Sequence, residues 1–125
     1  MKNSLLSFII RKRIKKTKEF IENPIKYQKN IFNYLLKKGL KTKFGKEHDL
    51  RKINDYKTFK NQIPIRTYEE LEPYIQRIRK GEKNVLWPGE VKWFAKSSGT
   101  TNHKSKFIPI TKESLKDCHF KAGKD

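Results

Sequence analysis

Ser97, Ser98, Gly99, Thr100, Thr101, Asn102, His103, Lys104, Ser105 and Lys106 follow one another without interruption. Four hydroxyl residues surround one glycine, and two lysines close the run. Hydroxyls and backbone amides are short donors, glycine lets the chain turn its N–H groups inward, and an ammonium group supplies charge. Together they suit the coordination of a polyphosphate. A Ser/Thr/Gly/Asn cluster is in many proteins only a turn. Hairpin connections usually take about two to five residues, and this stretch takes about ten. The P-loop pattern is absent, because no glycine is followed at once by Lys and then Ser or Thr. By composition alone, phosphate binding and a plain long turn both stay open.

Two strand-like runs must hold such a loop, Val91 to Lys96 before it and Phe107 to Thr111 after it. Upstream, Leu6, Ile10, Ile14 and Ile21 recur at helical spacing beside Leu5 and Ile9, which predicts an amphipathic helix with a basic back. Asn23-Pro24 ends it and starts the next helix, with Asn23 as N-cap, Pro24 at the first position, and Ile31, Phe32, Leu35 and Leu36 on one face. Lys37-Lys38-Gly39 is the stop. The polar stretch from Lys41 to Asp49 precedes a short helix from about Asn54 to Lys60, and Ile63-Pro64-Ile65 is extended.

Thr67-Tyr68-Glu69-Glu70 is a capping box. It opens a helix whose apolar face is Leu71, Tyr74, Ile75 and Ile78 and which closes at Lys80-Gly81. Val85-Leu86-Trp87-Pro88-Gly89 is a tight buried connector into the strand that contains Trp93. After Phe107-Ile108-Pro109-Ile110, Thr111 caps a further helix through Leu115, Cys118 and His119.

Length and charge narrow the classes. At 125 residues and 34% hydrophobic content there is room for one small domain at most, with little core of its own. Two strands alone make too small a sheet, so residues beyond 125 are expected. Cys118 cannot form an internal disulfide, no Cys/His spacing suits zinc, and the simplest compartment is the cytoplasm. The apolar run Leu5 to Ile10 is too short to span a bilayer and precedes its basic cluster, unlike a signal peptide.

Lysine plus arginine number 31 against 13 acidic residues, a net charge of +18. That charge raises nucleic-acid binding. The basic residues are spread along the whole chain, lysine dominates arginine, and no RNA- or DNA-binding signature appears. The rival class is a non-enzymatic basic module on RNA or an anionic membrane surface; no specific nucleic acid is expected.

Trp93-Phe94-Ala95-Lys96-Ser97-Ser98-Gly99-Thr100-Thr101 resembles the first nucleotide-binding motif of the adenylate-forming enzymes, the superfamily of acyl-CoA synthetases, luciferases and peptide-synthetase adenylation domains. Within it, the chain is most similar to the auxin-responsive promoter family (Gretchen Hagen three), the acyl-acid amido synthetases and their bacterial relatives. Phe44-Gly45-Lys46-Glu47-His48, Ile63 to Leu71 and Gly81 to Gly89 extend the likeness in order. Asn102 departs from the glycine common at that place.

The resemblance implies an α/β fold, of which this chain is the N-terminal helices and first strands of a large adenylation domain. In that frame residues 1–40 are a helical N-terminal segment and 41–90 are helices and connectors. Residues 91–111 are strand–loop–strand, with 97–106 the phosphate loop, and 112–125 begin a helix. It implies ATP with Mg2+, a small carboxylic acid, an amine acceptor such as an amino acid, and passage through an acyl-adenylate. Ser97, Ser98, Gly99, Thr100, Thr101 and Lys106 fall on the nucleotide-binding positions. A piece of this kind is expected to be inactive alone.

Overall fold

The computed structural model of the chain describes residues 2–97 and 105–123. Two compact units divide it, residues 1–35 and 36–125.

The first unit is helical. α1 covers Lys2–Glu22 and α2 covers Pro24–Gly39, the last four residues of α2 belonging to the second unit. The break falls at Asn23, as the proline requires: Pro24 has no N–H to give, and its ring crowds the carbonyl four residues back. Asn23 does not cap α2 with its side chain as expected. Its Nδ2 donates to the Glu19 carbonyl oxygen at 3.4 Å, its N–H donates to the same oxygen at 3.0 Å, and its own carbonyl accepts from Tyr27 N–H. Hydrogen bonding thus passes through the join. Phe20 and Tyr27 meet edge to face across it at 5.7 Å, and Tyr27 Oη donates to Glu19.

The second unit holds the core. α3 (Lys43–Glu47) forms within the polar stretch where no element was expected, and a 3-10 turn (Leu50–Lys52) follows it. Thr42 starts α3: its Oγ1 accepts from Gly45 N–H at 2.9 Å and donates to the Gly39 carbonyl at 2.7 Å. Gly45 lies so close to the end of α2 that a Cβ there would sit 2.0 Å from the Gly39 carbonyl oxygen. That contact explains a glycine inside a helix, where it otherwise weakens the element.

α4 is Tyr56–Gln62, two residues later than the sequence suggested, because Asp55 caps it by accepting from Thr58 N–H at 2.7 Å. α5 is Tyr68–Arg79, with the capping box of Thr67 and Glu70 formed in both directions. The connector after α5 folds back on α3: Lys43 and Phe44 donate to the carbonyls of Asn84 and Val85. Asn84, at φ 58°, accepts from Gly89 N–H through Oδ1 and closes that loop.

Ile78, Val85 and Val91 form the centre of the core, with Tyr74, Leu86 and Phe94 packed on it. Val91 is therefore a core residue ahead of the strand rather than part of it.

β1 (Trp93–Lys96) and β2 (Phe107–Ile110) pair antiparallel, with Trp93 opposite Ile110 and Lys96 opposite Phe107. Thr111 caps the helical stretch that follows, accepting from Ser114 N–H. That stretch comprises α6 (Lys112–Ser114), a π-helical turn (Leu115–His119) and α7 (Phe120–Ala122). Lys38 at the end of α2 ion-pairs with Glu113 at 3.2 Å. The described residues are thus mostly helical with a small two-stranded sheet. No helix among them is long and apolar enough to cross a membrane.

Candidate phosphate-binding site

The antiparallel ladder does not stop at Lys96. Ser97 N–H donates to the Lys106 carbonyl at 3.0 Å, and Lys106 N–H donates to Ser97 Oγ at 3.3 Å. These paired bonds lock the two posts of the loop together. Ser97 and Lys106, at opposite ends of the hydroxyl-rich run, are thereby neighbours in space. Ser98, Gly99, Thr100 and Thr101 lie outside the described residues.

Lys106 does not stand free in solvent. Its Nζ is 3.0 Å from Glu69 Oε1 and 4.9 Å from the centroid of the Tyr68 ring, in cation–π range. Both partners come from the first turn of α5, which the capping box places and orients. Tyr68 also reaches the strand: its Oη accepts from Phe107 N–H at 2.8 Å and donates to the Phe107 carbonyl at 3.3 Å. Those two groups lie on the edge of β2 that faces away from β1, so one phenol satisfies backbone that a lone edge strand leaves unpaired. The guanidinium of Arg79, at the other end of α5, lies 3.9 Å from the centre of the Phe107 ring. One helix grips β2 just past the loop.

Charge follows this geometry. The Glu69 carboxyl is held below the ordinary carboxylate range, first by its own backbone amide in the opening turn of α5 and then by the Lys106 ammonium. Glu69 is mostly exposed, so its ion pair with Lys106 contributes little to stability.

The donor set suits a phosphate. An ammonium with 40% of its side chain exposed and a hydroxyl that accepts from a backbone amide, so keeping its own proton to donate, are partners for an oxyanion. Among the described residues, no three His, Cys, Asp or Glu side chains converge to hold a metal ion.

The other stretches that carry the family likeness meet behind this site. His48 stacks on Phe44 at 4.1 Å between ring centres and lies 2.7 Å from Arg66 Nη2 through its Nε2. Arginine can only donate, so Nε2 accepts and the ring proton sits on Nδ1, where it donates to the Phe44 carbonyl at 3.0 Å. Arg66 immediately precedes Thr67, so α3 is tied to the start of α5.

Sequence reasoning picked out Ser97 and Lys106 but not Tyr68, Glu69 or Arg79 as parts of one site. The capping box was the available signal. It fixed the first turn of α5 without showing that this turn would face residues almost forty positions later.

Comparison with known proteins places the chain in a family. The family model for the GH3 family N-terminal domain matches residues 13–124. An indole-3-acetic acid-amido synthetase, GH3.2 of Arabidopsis thaliana, is 35% identical over 105 residues, covering 83% of this chain and 19% of that protein. The jasmonoyl–L-amino acid synthetase JAR6 of Nicotiana attenuata is 34% identical over 103 residues, covering 82% and 18%. The chain spans about a fifth of the length of the curated relatives it matches. A match over residues 13–124 takes in α3, α5, both strands and the loop between them, and on that ground the chain belongs to the GH3 family.

Proposed function

We propose that this chain supplies the polyphosphate-holding element of an ATP-dependent acyl-acid amido synthetase. In the reaction, a carboxylate oxygen attacks the α-phosphorus of ATP. The bond from that phosphorus to the bridging oxygen breaks, and pyrophosphate leaves an acyl-adenylate. An amine nitrogen then attacks the acyl carbon, AMP departs, and the amine proton is lost. The names of the relatives, synthetases joining an acid to an amino acid, support an amino acid as the amine. The α/β adenylation domain expected from the resemblance is part of the same proposal, with the two-stranded sheet as its beginning.

The observation that carries the reading is the closed base of the loop, where Ser97 and Lys106 are joined by two hydrogen bonds. From these posts the hydroxyl of Ser97 and the ammonium of Lys106 hold β- and γ-phosphate oxygens. Negative charge grows there as pyrophosphate leaves, so preset donors act by position and electrostatics. Ser98, Gly99, Thr100 and Thr101 are proposed as the remainder of the cradle. Mg2+ would be carried by phosphate oxygens and share the neutralisation of charge.

Two measurements test this. ATP binding to the 125-residue chain should fall at least several-fold in Lys106→Ala, since hydrogen bonds to charged groups are worth about 1.5–3 kcal/mol; unchanged binding removes the lysine. Pyrophosphate exchange with a panel of carboxylic acids should be absent from the chain by itself, and robust exchange would show that these residues suffice for catalysis.

A further inference from the structure

α5 grips the C-terminal post of the loop through Tyr68 and Glu69. We propose that Tyr68 is a positioning residue for the polyphosphate loop and that Glu69 is an internal surrogate anion, which competes with the polyphosphate for Lys106. This rests on the reading of Lys106 as a phosphate ligand.

Tyr68 holds three things at once. Its hydroxyl pins both backbone polar groups of Phe107, and its ring underlies the ammonium of the residue before. The bonds to Ser97 fix the inner edge of Lys106, and Tyr68 fixes the outer edge of the next residue, so the phenol sets the side from which the ammonium is held. Glu69 occupies the ammonium at 3.0 Å, the distance a phosphate oxygen would take. A carboxylate and a phosphate oxygen compete for the same N–H donors, so polyphosphate binding must break this ion pair or share its cation.

The two neighbours therefore act in opposite directions. Tyr68 preorganises the lysine for its ligand, whereas Glu69 competes with that ligand. A purely structural role for both predicts that replacing either weakens binding.

The test is titration of the full chain with ATP and, separately, with AMP, which lacks the β- and γ-phosphates, at fixed ionic strength. Tyr68→Phe removes only the hydroxyl and should weaken ATP roughly three- to tenfold while leaving AMP within about twofold. Glu69→Gln should tighten ATP roughly two- to fivefold, again without moving AMP. The Phe107 amide resonance should shift in Tyr68→Phe and not in Glu69→Gln, reporting the lost bond in a folded chain. Weakened ATP binding in Glu69→Gln, or no change in either variant, overturns the proposal. If Lys106→Ala abolishes the preference for ATP over AMP but Tyr68→Phe does not, the positioning role alone fails. If Lys106→Ala leaves that preference intact, the polyphosphate reading fails and takes this inference with it. Glu69 is an exposed residue, so its variant decides the matter even if Tyr68→Phe does not fold.

Discussion

Residues 1–35 and 36–125 are built from the same kind of sequence, basic and helix-forming with apolar residues at helical spacing, yet they reach different ends. Every buried side chain among the described residues, from Thr42 to Val91, lies in the second unit. In the first, Phe8, Ile10, Ile14, Phe20, Ile21, Ile25 and Ile31 are all exposed. The helices differ at their starts too. α3, α4, α5 and α6 each begin with a side chain that accepts a backbone N–H, from Thr42, Asp55, Thr67 and Thr111, whereas Asn23 before α2 bonds backwards instead. A hydrophobic stripe makes a helix legible, but burial against other elements and closed termini decide whether it is fixed. The candidate site sits in the unit where both conditions hold.

Matched substitutions expose that contrast most strongly. Ile78→Ala removes a core side chain that is 2% exposed and should cost about 2–5 kcal/mol in denaturant unfolding of the second unit. Ile21→Ala, at a residue 68% exposed, should stay within about 0.5 kcal/mol. Equal effects would erase the distinction between the units.

Gly45→Ala comes next. The added methyl must push aside the Gly39 backbone, and overpacking of this kind costs about 1–3 kcal/mol. A melting temperature unchanged by this substitution would mean that α3 does not approach α2 so closely.

Thr67→Ala opens the capping box and should cost about 0.5–2 kcal/mol. It should also disturb the Phe107 amide, since Tyr68 begins the same turn. A shift confined to α5 would uncouple the cap from the site.

The smallest effect is in pH dependence, where the carboxylates with lowered values among the described residues all lie in the second unit. Asp55, lowered chiefly by its bond from Thr58 N–H, and Glu69 stabilise the second unit above the ordinary carboxylate range. That contribution is lost as pH falls through their depressed folded values. Tyr27 in the first unit is raised, first by burial and then by Glu19. Its contribution is complete below the ordinary phenol value and is lost as pH rises through the raised one. Tyr74 in the second unit is raised as well, first by its hydrogen bond to Glu47. Segment-resolved hydrogen exchange against pH should therefore show acid weakening in the second unit and alkaline weakening in both.

Local chemistry made much of this readable from sequence. The Thr67 capping box, the Pro24 break and the Thr111 cap rest on contacts within a few residues, and the strands flanking the loop are legible as short apolar runs. α3 escaped notice because a glycine inside a five-residue helix reads as a breaker, and Lys43 and Phe44 are held by distant carbonyls of residues 84 and 85. At the site, the hydroxyl, glycine and lysine composition announced a phosphate. The partnership of Lys106 with Tyr68 and Glu69 depends on α5 packing behind β2, which no local pattern encodes.

The most direct measurement is an amide-resolved NMR titration of the intact chain with ATP at physiological salt. Binding at the site should move the resonances of Ser97, Lys106 and Phe107 saturably and leave those of Arg11 to Lys18 in place. Shifts concentrated on Arg11 to Lys18 that fade as salt rises would instead mean that a surface of net charge +18 merely collects an anion, and the phosphate-binding role of the loop would be contradicted.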